Sequence, residues 1–415
     1  MKIIKALFSP GISSFFFDDQ RAIKQGASQD GFVYVGESVT PGFTRIREAG
    51  QSVGIQLILE DGQTATGECA AVQYSGAGGR DPLFLSANYI PFLKTHVRPM
   101  LEGLELSSFR EMTEKFMYLE IDGKRLHTAL RYGLSQALLD ARAKSSHITA
   151  TEVICNEYGL PVIAKPVDIF GQTGDSRYEN VDKMILKNVD VLPHGLINNI
   201  DSKLGRDGEK LREYIKWLAA RVKTLRIRSE YKPALHLDVY GTIGLAFDGN
   251  MHKIIEYISS LEEAAGGLPL YIEGPCDLEE KKGTIQALSE IVNGLKNNGS
   301  RVKIVADEWC NTYEDVIDFV DAGACDMVQI KTPDLGGIQN VVESIIYCHK
   351  NGVEAYQGGS CNETDVSARM SVHLAVAARA DRLLAKPGMG FDEGFTIVKN
   401  EMERLISVLK YRHGV

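Results

Sequence analysis

Four apolar runs in the second half of this chain end in a charged residue: Asp238 in LHLDVY, Glu273 in YIEGP, Asp307 in VADEW and Lys331 in VQIKTPD. Their intervals are each about one strand-plus-helix unit. Four successive strands would then deliver one charged group each to a common mouth. Taken singly, each carboxylate reads as a helix cap or a surface group. Three converging carboxylates need a cation. With no His or Cys among them the donors are hard oxygens, which suit Mg²⁺ or Mn²⁺ and leave positions open for water and substrate. Beside such a cation and shielded from water, a lysine has its charged form disfavoured; Lys331 is then a base with a lowered pKa rather than a structural ion pair. Strand alternation leaves one choice open, because Asp307 and Glu308 point to opposite faces and only one enters a barrel. Gln329 shares a face with Lys331 and lines the floor, while His236, on the face of Asp238, reads as a satisfied core histidine.

The elements that must position these groups follow a regular rhythm. From about residue 161, short apolar runs alternate with amphipathic helices such as HKIIEYISSLEEA and VVESIIYCHKNG. The runs are PVIAKPVDIF, DVLPHG, ALHLDVY, LYIEGP, VKIVADEW, DMVQIKTP, EAYQGGS and RLLAKPG, and they predict an α/β fold with a parallel (β/α)8 barrel. A doubly wound open sheet is the alternative. Residues 1–160 read as an α+β domain, with two strand-like runs around Asp61-Gly62 and a helical stripe at Leu130, Leu134, Ala137, Leu138 and Ala141. Residues 161–390 form the barrel region, and 391–415 read as one helix packing back on the body.

Composition narrows the function. The 415 residues carry a formal charge of −9, from 46 Lys+Arg against 55 Asp+Glu, which argues against nucleic acid or an anionic membrane as partner and leaves a small molecule. At 44% hydrophobic and 24% charged the chain has the make-up of a folded globular protein. No run reaches the roughly 20 apolar residues of a membrane span, and Pro10 and Gly11 interrupt the start, so no signal peptide is expected. Seven cysteines without a Cys-x-x-Cys pair disfavour a disulfide scaffold and fit a cytoplasmic protein. Nor is there a Gly-x-Gly-x-x-Gly or a phosphate loop.

The ordered series FFFDDQRAIKQGA, AAVQYSGAGGRDP, LPHGLINN, HLDVYGTIG, IEGP, VADEWCNTYEDV, QIKTPDLGGIQN, GGSCNET and AKPGMGFDEG resembles the enolase superfamily and, within it, the methylaspartate ammonia-lyase family over nearly the whole chain. The resemblance implies an enolase-like, modified (β/α)7β TIM barrel, an N-terminal capping role for residues 1–160, and Mg²⁺ on Asp238, Glu273 and Asp307, with K⁺ as a further activator. It implies reversible elimination of ammonia from (2S,3S)-3-methylaspartate to give mesaconate, through C3 proton abstraction by Lys331 and an Mg-stabilised enolate (aci-carboxylate). His194 would act as acid/base on the opposite face and also contact substrate. Gln73, Gln172, Gln329, Ser360 and Cys361 match substrate-binding positions, Cys361 as a contact and not as a nucleophile. Ser360 stands where threonine is expected, keeping the hydroxyl and losing a methyl. An amino-dicarboxylate substrate, a homodimer and a place in glutamate fermentation are implied as well. The competing functions are a cycloisomerase or epimerase of the same superfamily and a non-catalytic barrel that binds a metal-chelated dicarboxylate.

Overall fold

The computed structural model describes residues 1–77 and 79–414; Gly78, in the glycine-rich run quoted above, and Val415 lie outside them. The N-terminal region is built on an antiparallel sheet of β1 (Ile3–Asp18), β2 (Arg47–Leu59) and β3 (Thr64–Cys69) in that order. Pro10 does not interrupt β1, because an edge strand tolerates a residue that cannot donate to the ladder. Helix α1 (Thr128–Ser145) lies across this sheet and α2 (Ala150–Tyr158) follows it. The stripe Leu130, Leu134, Ala137, Leu138 and Ala141 is buried against the sheet, and Gly67 meets Gly133 so closely that a Cβ on Gly67 would sit 2.2 Å from the Gly133 carbonyl oxygen.

The other face of α1, with Tyr132, Leu139 and Ala143, belongs to the same apolar cluster as the barrel helices. A helix that is hydrophobic on both sides is a buried one. Here it is the layer shared by the two halves of the chain. The capping region keeps an apolar cluster of its own, and α1 contributes to that cluster and to the barrel's.

Eight parallel strands close into a barrel in chain order: β4 (Asp168–Phe170), β5 (Val191–His194), β6 (Ala234–Asp238), β7 (Leu270–Glu273), β8 (Lys303–Ala306), β9 (Met327–Ile330), β10 (Glu354–Gln357) and β11 (Arg382–Leu384). Seven strands are followed by helices of the outer ring: α3 (Glu179–Leu186), α4 (Glu209–Leu225), α5 (Met251–Ala264), α6 (Lys281–Asn297), α7 (Tyr313–Asp321), α8 (Ile338–Lys350) and α9 (Asp365–Ala378). After β11 the chain enters α10 (Phe391–His413), which packs against α9 and α3 and fills the last helical position. The open-sheet alternative is excluded by the closure of β11 on β4.

The strands are shorter than the apolar runs. Residues 161–167, expected as the front of the first strand, are not strand, since Pro161 and Pro166 lack the amide hydrogens a ladder needs. Inward-facing Phe170, Val191, Tyr271, Val305, Met327, Tyr356 and Leu384 fill the barrel interior. Among the described residues no helix is long and apolar enough to cross a membrane, and no disulfide forms.

Candidate active site

Asp238 and Glu273 are the last residues of β6 and β7 and pair directly across the ladder. Asp307 follows the end of β8 and Lys331 the end of β9; His194 ends β5, in register with Leu237 of β6. All five side chains are buried. Alternation explains the selection: Leu235 and Leu237 face the helices while His236 and Asp238 face inward, and Glu273 turns inward for the same reason. The Asp307/Glu308 choice is resolved differently from the expectation that only one residue enters. The strand stops at Ala306, so alternation no longer governs; Asp307 Oδ1 lies 2.5 Å from Lys331 Nζ, and the half-exposed Glu308 also reaches that amine, at 3.7 Å.

The carboxylates are crowded. Burial and then Asp307 push Asp238 well above the usual carboxylate range; burial and then Asp238 do the same to Glu273. Burial raises Asp307 to about 6 despite the opposing pull of Lys331. The lowered pKa expected of Lys331 is that of a lysine beside a divalent cation; among the protein's own charges alone, burial disfavours its charge but Asp307 and Glu308 outweigh burial and raise it. The physical reason is direct contact with two acids.

His194 Nε2 stands 3.6 Å from Asp238 Oδ2, and His194, Asp238 and Glu273 offer ligand atoms within 4.8 Å of one another. The nearest mutual cluster therefore includes His194 rather than Asp307, whose closest cation is Lys331. His194 takes a left-handed backbone, φ +66°, a conformation held at a cost in a residue other than glycine. Burial lowers its imidazole to about 4, so it is neutral near pH 7. Glu273 Oε2 lies 2.7 Å from His236 Nε2 without an aligned hydrogen bond, while His236 Nδ1 accepts from Arg382 at 2.9 Å. His236 is thus tied into the site and is not a bystander in the core. An orphaned, buried carboxylate oxygen among mutually repelling acids fits a hard divalent cation on Asp238, Glu273 and Asp307.

The remaining expected residues surround this cluster. Gln329 Nε2 donates to Glu273 Oε1 at 2.8 Å and to the Tyr356 hydroxyl at 2.6 Å, so its amide nitrogen is engaged in fixing Glu273. Gln172 Nε2 donates to the carbonyls of Gly388 and Ala385 beyond β11. Ser360 is buried after β10, with its hydroxyl accepting from the Asn362 amide. Cys361 is partly exposed, yet burial pushes its thiol up to about 12, which disfavours a thiolate; its thiol donates to Gln73 Oε1 at 3.7 Å. Gln73 also donates to Asp18 at the end of β1.

Sequence spacing does not reveal two arginine ion pairs, the first within the capping region and the second between it and the barrel. Arg47 forks onto both oxygens of Asp18 at 2.7 Å, beside Gln73. Arg80 reaches from the capping loop to Asp334 at 3.0 Å and to Glu308 at 3.7 Å. Arg80 lies inside a quoted motif and Arg47 in none, and their partners are distant in sequence or lie in another motif.

Models of the methylaspartate ammonia-lyase N-terminus and C-terminus match residues 1–159 and 161–411. The methylaspartate ammonia-lyase of Citrobacter amalonaticus is 61% identical over 410 residues, 99% of each chain. Its crystal structure containing (2S,3S)-3-methylaspartic acid superposes with a TM-score of 0.98 over 99% of this chain and 100% of that one. The β-methylaspartase of Clostridium tetanomorphum, solved as an Mg complex, is 52% identical with a TM-score of 0.97, covering 99% and 100% of the two chains. An L-Ala-D/L-Glu epimerase from Bacillus subtilis shares the fold at 16% identity, with a TM-score of 0.64 and coverage of 95% and 91%.

Proposed function

The chain belongs to the methylaspartate ammonia-lyase family and is a carbon–nitrogen lyase, and on that premise we propose that it catalyses the Mg²⁺-dependent, reversible elimination of ammonia from (2S,3S)-3-methylaspartate to give mesaconate. Asp238, Glu273 and Asp307 would hold the metal, with Mn²⁺ an acceptable substitute for the same hard oxygens. Bound there, the divalent ion supplies Lewis-acid stabilisation of charge developing on a substrate carboxylate. The Mg complex of the Clostridium relative and the (2S,3S)-3-methylaspartic acid in the Citrobacter relative support this reading.

Lys331 in its neutral form takes the C3 proton and the C–H electron pair is delocalised onto the adjoining carboxylate; that pair then forms the C2=C3 double bond as the C2–N bond of the protonated amine breaks and ammonia leaves with the bonding pair. His194 serves the opposite face and accepts a proton as a neutral imidazole. One observation carries the assignment. In the ring of eight strands, β5 and β9 are four apart, so His194 and Lys331 are delivered from diametrically opposed strand ends, each against a carboxylate of the cluster. Gln73, Gln172, Gln329, Ser360 and Cys361 complete the dicarboxylate site in this reading. The loss of a methyl at Ser360 leaves the hydroxyl available and bears on substituents at C3. A cytoplasmic homodimer working in glutamate fermentation is the reading that family membership supports.

The test is the product mixture formed from (2S,3S)-3-methylaspartate with Mg²⁺. Release of ammonia together with the ultraviolet absorbance of mesaconate is expected, both abolished by chelation and restored by Mg²⁺ or Mn²⁺. An epimerase or cycloisomerase would release no ammonia, and full activity after exhaustive chelation would remove the metal from the proposal.

A further inference from the structure

The segment Gly358–Asn362, which carries Ser360 and Cys361, lies beyond β10 and outside any regular element. Something other than the sheet must fix it. Glu363, fully buried, accepts four hydrogen bonds: from the Ser360 amide at 2.8 Å, the Thr332 hydroxyl at 3.0 Å and Lys386 Nζ at 2.9 Å on one oxygen, and from the Tyr132 hydroxyl at 2.5 Å on the other. Lys386, also fully buried, donates further to Thr332 and to the Gly358 carbonyl, each at 2.9 Å. Every donor of the lysine is used, and the charges are paired within 2.9 Å. Gly359 has φ +153°, and a Cβ there would sit 2.2 Å from Glu363 Oε2, so the loop closes directly over the pair.

The partners come from four places. Tyr132 belongs to α1, Thr332 follows Lys331, Ser360 and Gly358 belong to the loop, and Lys386 follows β11. Desolvating two charges makes such a pair a poor source of stability compared with apolar packing, whereas its geometry is specific. Resting on the function proposed above, we propose that Glu363, with Lys386, is a positioning residue: it registers the Ser360–Cys361 loop against the strand end that carries Lys331, so that the substrate contacts and the base address one bound substrate.

Glu363→Gln keeps the shape and removes the charge. Losing hydrogen bonds to a charged acceptor predicts a KM for (2S,3S)-3-methylaspartate raised about tenfold or more. The second readout uses no substrate: alkylation of Cys361 by N-ethylmaleimide, followed by peptide mass spectrometry, is expected to accelerate in the folded variant, with the other six cysteines remaining buried. Thr332→Val should move both readouts in the same direction, and Thr332→Ser, which restores the hydroxyl, should return them toward those of the unaltered enzyme. If Glu363→Gln does not fold, the Thr332 pair carries the test. Unchanged KM and unchanged labelling overturn the proposal, as does a fall in kcat at constant KM, which is what loss of folded protein alone produces. Should the unaltered enzyme release no ammonia, the proposed function fails while the labelling still decides the role of Glu363.

Discussion

Lys331 shows what a single residue's position discloses and what it conceals. Its place at the end of an apolar run, one unit beyond three acids, was legible because a charge that terminates a buried strand is costly unless a partner or a ligand meets it. Its electrostatics were not, since two carboxylates from one neighbouring strand end both reach it, and the fold of that segment beyond the strand is invisible to alternation. The same limit hid the approach of His194 to Asp238 and the use of Gln329 to hold Glu273. Lys331→Ala is expected to lower turnover of (2S,3S)-3-methylaspartate by about 10²-fold or more while Mg²⁺ binding, measured by calorimetry, persists. Because a base must be unprotonated, the rate should climb on the alkaline side as the lysine loses its proton; a flat profile there would refute a lysine base. His194→Ala should suppress elimination from the 2S,3R epimer and spare the 2S,3S reaction. Equal loss with both epimers would make the histidine a positioner of substrate or metal.

At the scale of elements, the order and kind of the barrel strands were readable from apolar runs between amphipathic helices, but their lengths were not, because glycines and prolines at the ends turn predicted strand into the loops that carry chemistry. The closing helix α10 is fastened to α9 by Glu401, which meets Arg369 at 3.0 Å and His373 at 3.5 Å. Hydrogen bonding from His373 first, then from Arg404 and Arg369, overcomes burial and lowers its carboxyl from 4.5 to about 2. A depressed carboxylate stabilises the fold above its ordinary pKa, and that stabilisation fades as pH falls from 4.5 toward 2. Glu401→Gln should therefore lower Tm at pH 7 by roughly 1–2 °C after solvent screening, with the deficit shrinking below pH 4.5 in calorimetric scans. A deficit independent of pH would show that packing, not charge, fastens the helix.

Across the whole molecule, the site belongs to neither half alone. Asp18, Gln73 and Arg80 descend on a mouth built by β4 to β11, and Arg80 grips Asp334 and Glu308 within reach of Lys331. Removing one partner of a largely buried ion pair leaves the other uncompensated. Arg80→Met should raise KM about tenfold and accelerate amide exchange in residues 71–77 while the barrel strands keep their protection; exchange unchanged in that loop would show that the arginine does not hold it. Sequence reading divided the chain near residue 160 on the change of rhythm, and could not show that α1 faces two ways, since a helix apolar on both sides carries no sign of which partner lies where.

That two-faced helix has a consequence for synthesis. Helices α1 and α2 leave the ribosome before any barrel strand exists, yet α2 packs against α9, which is made near the end of the chain. Throughout that interval their barrel-side apolar surface has no native cover. A nascent chain stalled before α9 would thus present a sticky helical hairpin already docked on a finished sheet, the kind of surface that cellular chaperones bind.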